Sequence, residues 1–438
     1  MPCLSFKYYP DSSHWFTRIR HLSGAIWLDG EQAQGGRYSV LSAEPNELFK
    51  NPSHNELKQQ LEAFKQRYQK ELKALETFPF CGGLIGYNNY EDRHQHFSLS
   101  TKNKQQSPSY WGLFDWALIQ DHENKSCHFI CLANETSTHI QNLISLLQAE
   151  DKQPCSNYHL SSFKHDQSKQ DYLKAFEQIQ SYIHAGDCYQ INYSQRFSAQ
   201  FSGDPSEAYL QLRKHIGGPY SAYIALGEQQ VLSLSPEQFV QIQDKRAQTK
   251  PIKGTIRRGV DEQQDKSLAC ELLQSEKNRA ENLMIVDLLR NDFGQNCKAA
   301  SVKVPHLFAL ESYANVHHLV STVTGELNDG IDELSFYHDC FPGGSITGAP
   351  KKRAMEIIDE LEPHPRNIYC GSIVCISANG RLNSSIAIRT LLIKDNSIYC
   401  WGGGGIVADS KAEEEYQESL QKVGALMREL EAKSIAAK

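Results

Sequence analysis

Apolar runs of strand length recur along the whole chain, and they do not alternate cleanly with helices. Before residue 148 they are Ala25–Leu28, Gly83–Tyr87 and Trp111–Ile119, with a polar helix expected over Asn55–Leu75. After residue 169 come Tyr220–Leu226, Val231–Leu234, Ile373–Ser377 and Leu391–Ile393. These are interspersed with amphipathic helices expected over Gln170–Ala185, Asp265–Leu289, Ala349–Leu361 and Ala412–Leu430. Parallel sheets need a crossover, usually helical, between strands. The irregular order predicts α+β instead: large antiparallel β-sheets forming a sandwich-like core, with helices packed outside. The polar stretch 148–169 reads as a linker, leaving an N-terminal domain over 1–147 and a second, larger domain over 170–438.

Composition narrows the function classes. The 438 residues are 40% hydrophobic with a net charge of −7, enough for a sizeable core and the wrong sign for a general nucleic-acid binder. The 12 cysteines stand singly, with no Cys-x-x-Cys pair, so reduced thiols are expected, not a disulfide framework or a zinc site. No run approaches the roughly 20 apolar residues of a membrane span, and the first residues carry no apolar signal core. A cytoplasmic protein that binds neither membrane nor nucleic acid is expected.

Several motifs can be set aside. There is no Walker A loop and no His-Glu-x-x-His helix. The run Gly402-Gly403-Gly404-Gly405 lacks dinucleotide spacing because Val407 holds the third glycine position. It is either a flexible turn or a backbone cradle for a carboxylate.

Four segments place polar groups where a plain core would not. Glu237 follows the strand Val231–Leu234 and Pro236, as a solvated turn residue or a positioned general acid. Lys253, between Ile252 and Gly254, is a surface charge or an amine aimed at a ligand. The Glu281–Asp292 segment is apolar around much of its circumference, which predicts a deeply buried helix. There Asp287 and Arg290 read as an internal ion pair and Glu281 as a metal candidate. Glu413 and Glu414 open the last helix and suit its dipole, while Glu415 and Glu418 share one face with Lys422 a turn beyond. Glutamates on two facing helices suit Mg²⁺.

The run Phe341-Pro342-Gly343-Gly344-Ser345-Ile346-Thr347-Gly348-Ala349-Pro350-Lys351 resembles the chorismate-utilising enzymes. So do the Glu281 helix, Val316–Ser321 and Gly404–Ser410. The likeness is strong over about 170–430 and weaker before it, through Gly83–Tyr87 and Phe114–Ile119. It implies an anthranilate synthase component I-like fold. Lysine at 253 together with glutamine at 190 matches the branch that aminates chorismate and keeps its pyruvyl group, towards p-aminobenzoate and folate; the anthranilate-forming branch is the alternative.

The resemblance also implies roles. Lys253 attacks the ring while Glu237 protonates the leaving hydroxyl. Mg²⁺ is held by Glu281 and Glu418 with Glu415 close by. Tyr369, Arg389 and the amides near Gly405 take the pyruvyl carboxylate, His318 and Ser345 line the ring pocket, and Lys422 adds positive charge. Asn278 stands where the family usually has an acidic residue. No glutaminase signature is visible, so ammonia is expected from solution or from a glutamine amidotransferase subunit. The N-terminal half resembles a tryptophan-binding domain around Trp27–Gly30 and Arg37-Tyr38, altered by Asp29 in place of serine.

Overall fold

The computed structural model describes residues 3–30, 35–95, 97, 106–133, 137–149, 157–313 and 316–436. Two sheets dominate, of 13 and 10 strands, and every pairing between named strands is antiparallel among these residues. The architecture is α+β, as the irregular element order predicts.

Both sheets draw strands from either side of the polar 148–169 stretch. In the larger sheet Ile26–Asp29 pairs with Tyr220–Ile224, and in the smaller one Gly83–Asn88 pairs with Ser372–Ser377. Within the stretch itself, residues 150–156 lie outside the described residues, and the short strands Tyr158–Leu160 and Lys164–His165 add to the long strand Gln190–Gly203.

Two-residue alternation along the strands produces two cores. Ile26, Val40 and Ile119 belong to one core, which also takes in Leu84 and Val374 from one face of the smaller sheet. Their neighbours Trp27, Leu41 and Leu118 point the other way, under the helices Ser13–Ile19, Thr138–Gln148, Pro205–Ile216 and Ala412–Ala436.

Three expected elements are broken in two. Trp111–Ile119 becomes Tyr110–Phe114 in one sheet and Trp116–Asp121 in the other, with the chain crossing over at Asp115. The Asn55–Leu75 helix ends at Arg67 and restarts at Gln69. Asp265–Leu289 divides into Glu262–Gln274 and Glu276–Asn296, because Ser275 leaves helical geometry and its side chain accepts the Asn278 amide N–H.

The Glu276–Asn296 helix is also one-sided, not deeply buried. Asn282, Ile285, Val286 and Leu289 face inwards, whereas Leu283 is 46% exposed. The Asp287–Arg290 pair does form, at 2.9 Å, but on the surface.

Candidate active site

The chain passes from the larger sheet to the smaller at Pro236-Glu237, and back again at Ala387–Arg389. The two crossings run side by side. Ser235 Oγ donates to the Ile386 carbonyl at 2.6 Å, and the Ile386 amide donates to the Glu237 carbonyl at 3.1 Å. At such crossings side chains leave the alternation of either sheet and can turn into a common space. Arg389 adopts φ +49°, a left-handed conformation uncommon for a residue with a side chain.

That space is a cavity of about 630 Å³. Its wall includes Glu237, Lys253, Glu281, His318, Ser345 and Tyr369, together with Arg389, Gly405, Glu415, Glu418 and Lys422. Every residue to which the resemblance assigns a role therefore lies in the wall of one cavity, drawn from nine separate segments of the chain, whereas Gln190, Asp287 and Arg290 do not line it.

The glycine run is neither a turn nor a loop. It lies within the strand Ser397–Ile406, paired with Gln190–Gly203. A Cβ on Gly402 would fall 2.2 Å from the Ser419 carbonyl, so glycine lets the Ala412–Ala436 helix lie directly on the strand. One on Gly404 would stand 3.2 Å from Glu415 Oε2 and 3.5 Å from Lys422 Nζ. The glycines thereby bring this helix's charges to the cavity.

The charges act on one another across the cavity. Glu237 is buried, accepts from Ser345 Oγ at 2.8 Å, and is pushed up by burial against the lowering pull of that bond and of Lys253. The Lys253 ammonium is disfavoured by burial and by Lys422, which together outweigh Glu281 and Glu237. Glu281, the strongest charged neighbour of Lys253, is raised by burial despite Lys253 and Lys277, and Glu415, held by Ser410 at 2.7 Å, is raised in the same way. Burial pushes Glu418 up too, but its ion pair with Lys422 at 2.7 Å prevails and holds it low.

Arg389 has no side-chain partner among the described residues, and burial alone lowers its pKa. His318, bonded through Nδ1 to Thr255 Oγ1 at 2.8 Å, is driven to about 4 by burial and by Arg389, and is therefore neutral. Tyr369 stacks on Trp401 with 6.2 Å between ring centroids.

The arrangement offers a disfavoured ammonium beside a disfavoured carboxylate, an unpaired guanidinium, and carboxylates on two helices. The chemistry of a nucleophilic amine with an acid partner fits it. A scan against family models decides the lineage: residues 19–428 match the model described as chorismate binding enzyme. The chain belongs to this family.

The names of its relatives divide between aminodeoxychorismate synthases and anthranilate synthases. Aminodeoxychorismate synthase component 1 of Escherichia coli (strain K12) is 40% identical, covering 95% of both chains. The protein of the same name from Klebsiella aerogenes is 45% identical, over 81% of this chain and 78% of its own. Among solved structures, anthranilate synthase component I from Streptococcus pneumoniae TIGR4 superposes with a TM-score of 0.79 at 29% identity, covering 90% of this chain and 92% of that one.

Sequence reasoning left several wall residues of this chorismate-binding enzyme unremarked. Lys277, Asn192, Trp401 and Gln421 all line the cavity. Lys277 carried a signal, standing four residues before Glu281 on one helix face. Asn192 carried none, since alternation along a strand does not say which face meets a cavity.

Beside Trp27–Gly30 lies a separate cavity of only about 70 Å³, which as it stands has no room for an indole. Asp29 is committed elsewhere, to Arg213 at 2.7 Å and the Tyr209 hydroxyl at 3.2 Å.

Proposed function

We propose that this chain aminates chorismate as the large component of an aminodeoxychorismate synthase. The observation that carries the reading is the position of Lys253: an amine with a depressed pKa, in the cavity wall with Glu237.

Chorismate brings two carboxylates, a ring hydroxyl and an enol ether into an acidic protein, so local cations must receive it. Arg389, unpaired and largely desolvated, takes the pyruvyl carboxylate with Tyr369 and the strand amides near Gly405. His318 and Ser345 flank the ring, and Lys422 adds charge to the same cavity wall.

Lys253 Nζ, as the free amine, bonds to the ring. The C–O bond breaks, and Glu237 gives its proton to the departing hydroxyl, which leaves as water. Ammonia then bonds at the vacated carbon, the carbon–lysine bond breaks, and the proton shed by ammonia leaves Lys253 neutral and Glu237 reprotonated. The pyruvyl group is retained.

The donor set suits Mg²⁺. Glu281 and Glu418 offer hard carboxylate oxygens from two helices, and Glu281 has no hydrogen-bonding or ion-pair partner among the described residues. No group of three acidic, histidine or cysteine side chains forms a ready-made cluster among those residues. Mg²⁺ takes few protein carboxylates and keeps sites for water and substrate. Mg²⁺ held by Glu281 and Glu418, with Glu415 beside them, would neutralise the ring carboxylate. Ammonia comes from solution or from a glutamine amidotransferase subunit.

Anthranilate synthesis is the second reading, favoured by the likeness to the Streptococcus pneumoniae structure. The test is mass spectrometry of the product formed from chorismate, Mg²⁺ and ammonium. A product that has exchanged hydroxyl for amine and kept the pyruvyl group is expected; loss of pyruvate would make the chain an anthranilate synthase instead.

A further inference from the structure

Lys253 sits in the least regular part of its own strand. Ile252–Arg257 is paired with Val316–Glu326, and the register slips between Ile252 and Thr255, so the ladder does not fix Lys253 and Gly254. Gly254, at φ +91°, rests instead on two helices behind it: a Cβ there would stand 2.9 Å from Asn278 Cγ of the Glu276–Asn296 helix and 2.9 Å from Leu272 Cδ1 of the Glu262–Gln274 helix.

That helix, Glu262–Gln274, is itself weakly packed, with Leu272 its single buried residue. What fastens it is Asp265. Its carboxylate accepts from Arg258 Nε at 2.8 Å and Nη2 at 2.7 Å, and from the Gly259 amide at 2.7 Å. His317 Nε2 lies 3.1 Å from the same group, with Ser312 Oγ 2.7 Å from Nδ1 on the other side of the ring. Arg258 Nη1 also donates to the Tyr313 carbonyl at 2.9 Å. The clasp thus ties the helix to the strand that carries His318, and through Leu272 it bears on the backbone beside Lys253.

We propose that Asp265 is a positioning residue for Lys253, acting with Arg258 and His317 to hold the Glu262–Gln274 helix behind Gly254. The inference rests on the reading of Lys253 as the reacting amine. A clasp of this kind holds the amine in its attacking geometry without touching the substrate, so its loss lowers turnover and spares binding.

The test uses the full-length chain with Asp265→Asn, Asp265→Glu and His317→Gln. Asp265→Asn is expected to lower kcat about tenfold or more, with the chorismate KM within about twofold of the wild type. The Glu variant should recover much of the loss. Amide hydrogen exchange, measured without substrate, should quicken within 252–274 and stay unchanged elsewhere. His317→Gln opens the clasp from the other strand and gives an independent reading should Asp265→Asn fold poorly. An unaltered kcat, a fall in kcat matched by a rise in KM, or exchange quickened throughout the molecule would each overturn the proposal. The exchange pattern does not depend on which product forms. A failure there is therefore distinct from a failure of the amination reading, which the wild-type product mass decides.

Discussion

A lysine with its ordinary pKa near 10.4 would cost about 4–5 kcal/mol to neutralise at pH 7, so the surroundings of Lys253 decide whether it can react. Burial and Lys422 lower that cost. The sign follows: as pH rises through the depressed pKa the free amine accumulates, so the acid limb of kcat/KM lies below the range of an ordinary lysine. Removing the Lys422 charge lets the Lys253 pKa rise, and Lys422→Gln should move that limb to higher pH; a limb that stays in place or moves down would exclude Lys422 from this role. Glu237 must hold its proton, and burial favours that form. Glu237→Gln should cost about 10²–10⁴ in kcat with little change in KM, checked by steady-state kinetics. Both groups were named from sequence, but the sequence left each open to a bland alternative. Neither a turn beside a proline nor a lysine before a glycine says that the chain is crossing between two sheets, and it is the crossing that turns Glu237 inwards.

Among the elements, the segment after the Lys351–Leu361 helix braces two wall residues of the cavity, Asn192 and Ile346. Arg366, 1% exposed, bonds Glu362 through Nε at 2.9 Å and Nη2 at 2.7 Å, and donates to the carbonyls of Ile346 and Asn192. Glu362 also accepts from Ser194, through both its amide and its hydroxyl. Arg366→Leu leaves the buried Glu362 uncompensated and should destabilise the fold by about 3–5 kcal/mol. Thermal melting would show this, and the added change Glu362→Leu should restore part of the loss; a single variant as stable as wild type would show that the network carries no weight. Elements were legible from sequence where periodicity is long and capped, as in the Lys169–His184 helix. They were misread where a break leaves the pattern intact. Trp111–Ile119 is apolar on both sides of the sheet crossing, with Asp115 alone to mark it, and Ser275 interrupts an unbroken helical period with one cap.

Across the whole molecule, antiparallel sheets were legible because element order excludes regular crossovers. The threading was not. Composition marks 148–169 as polar, but it cannot say that Ile26–Asp29 will pair with Tyr220–Ile224. Because both sheets contain strands from the two halves, the cavity depends on the entire chain. The dependence on metal and nitrogen source belongs to this scale as well. Chelation of Mg²⁺ should abolish turnover with ammonium, and added Mg²⁺ should restore it. The purified chain should use ammonium but not glutamine until an amidotransferase subunit is supplied; glutamine use by the chain alone would contradict the partner assignment. The central claim, that Lys253 bonds to the ring, is tested most directly by the intact mass of the protein mixed with chorismate and Mg²⁺ and no ammonium. The account predicts an adduct of chorismate less water on Lys253 that disappears when ammonium is added, and a Lys253→Ala variant with neither adduct nor product. A Lys253→Ala enzyme that forms product at the wild-type rate would contradict it.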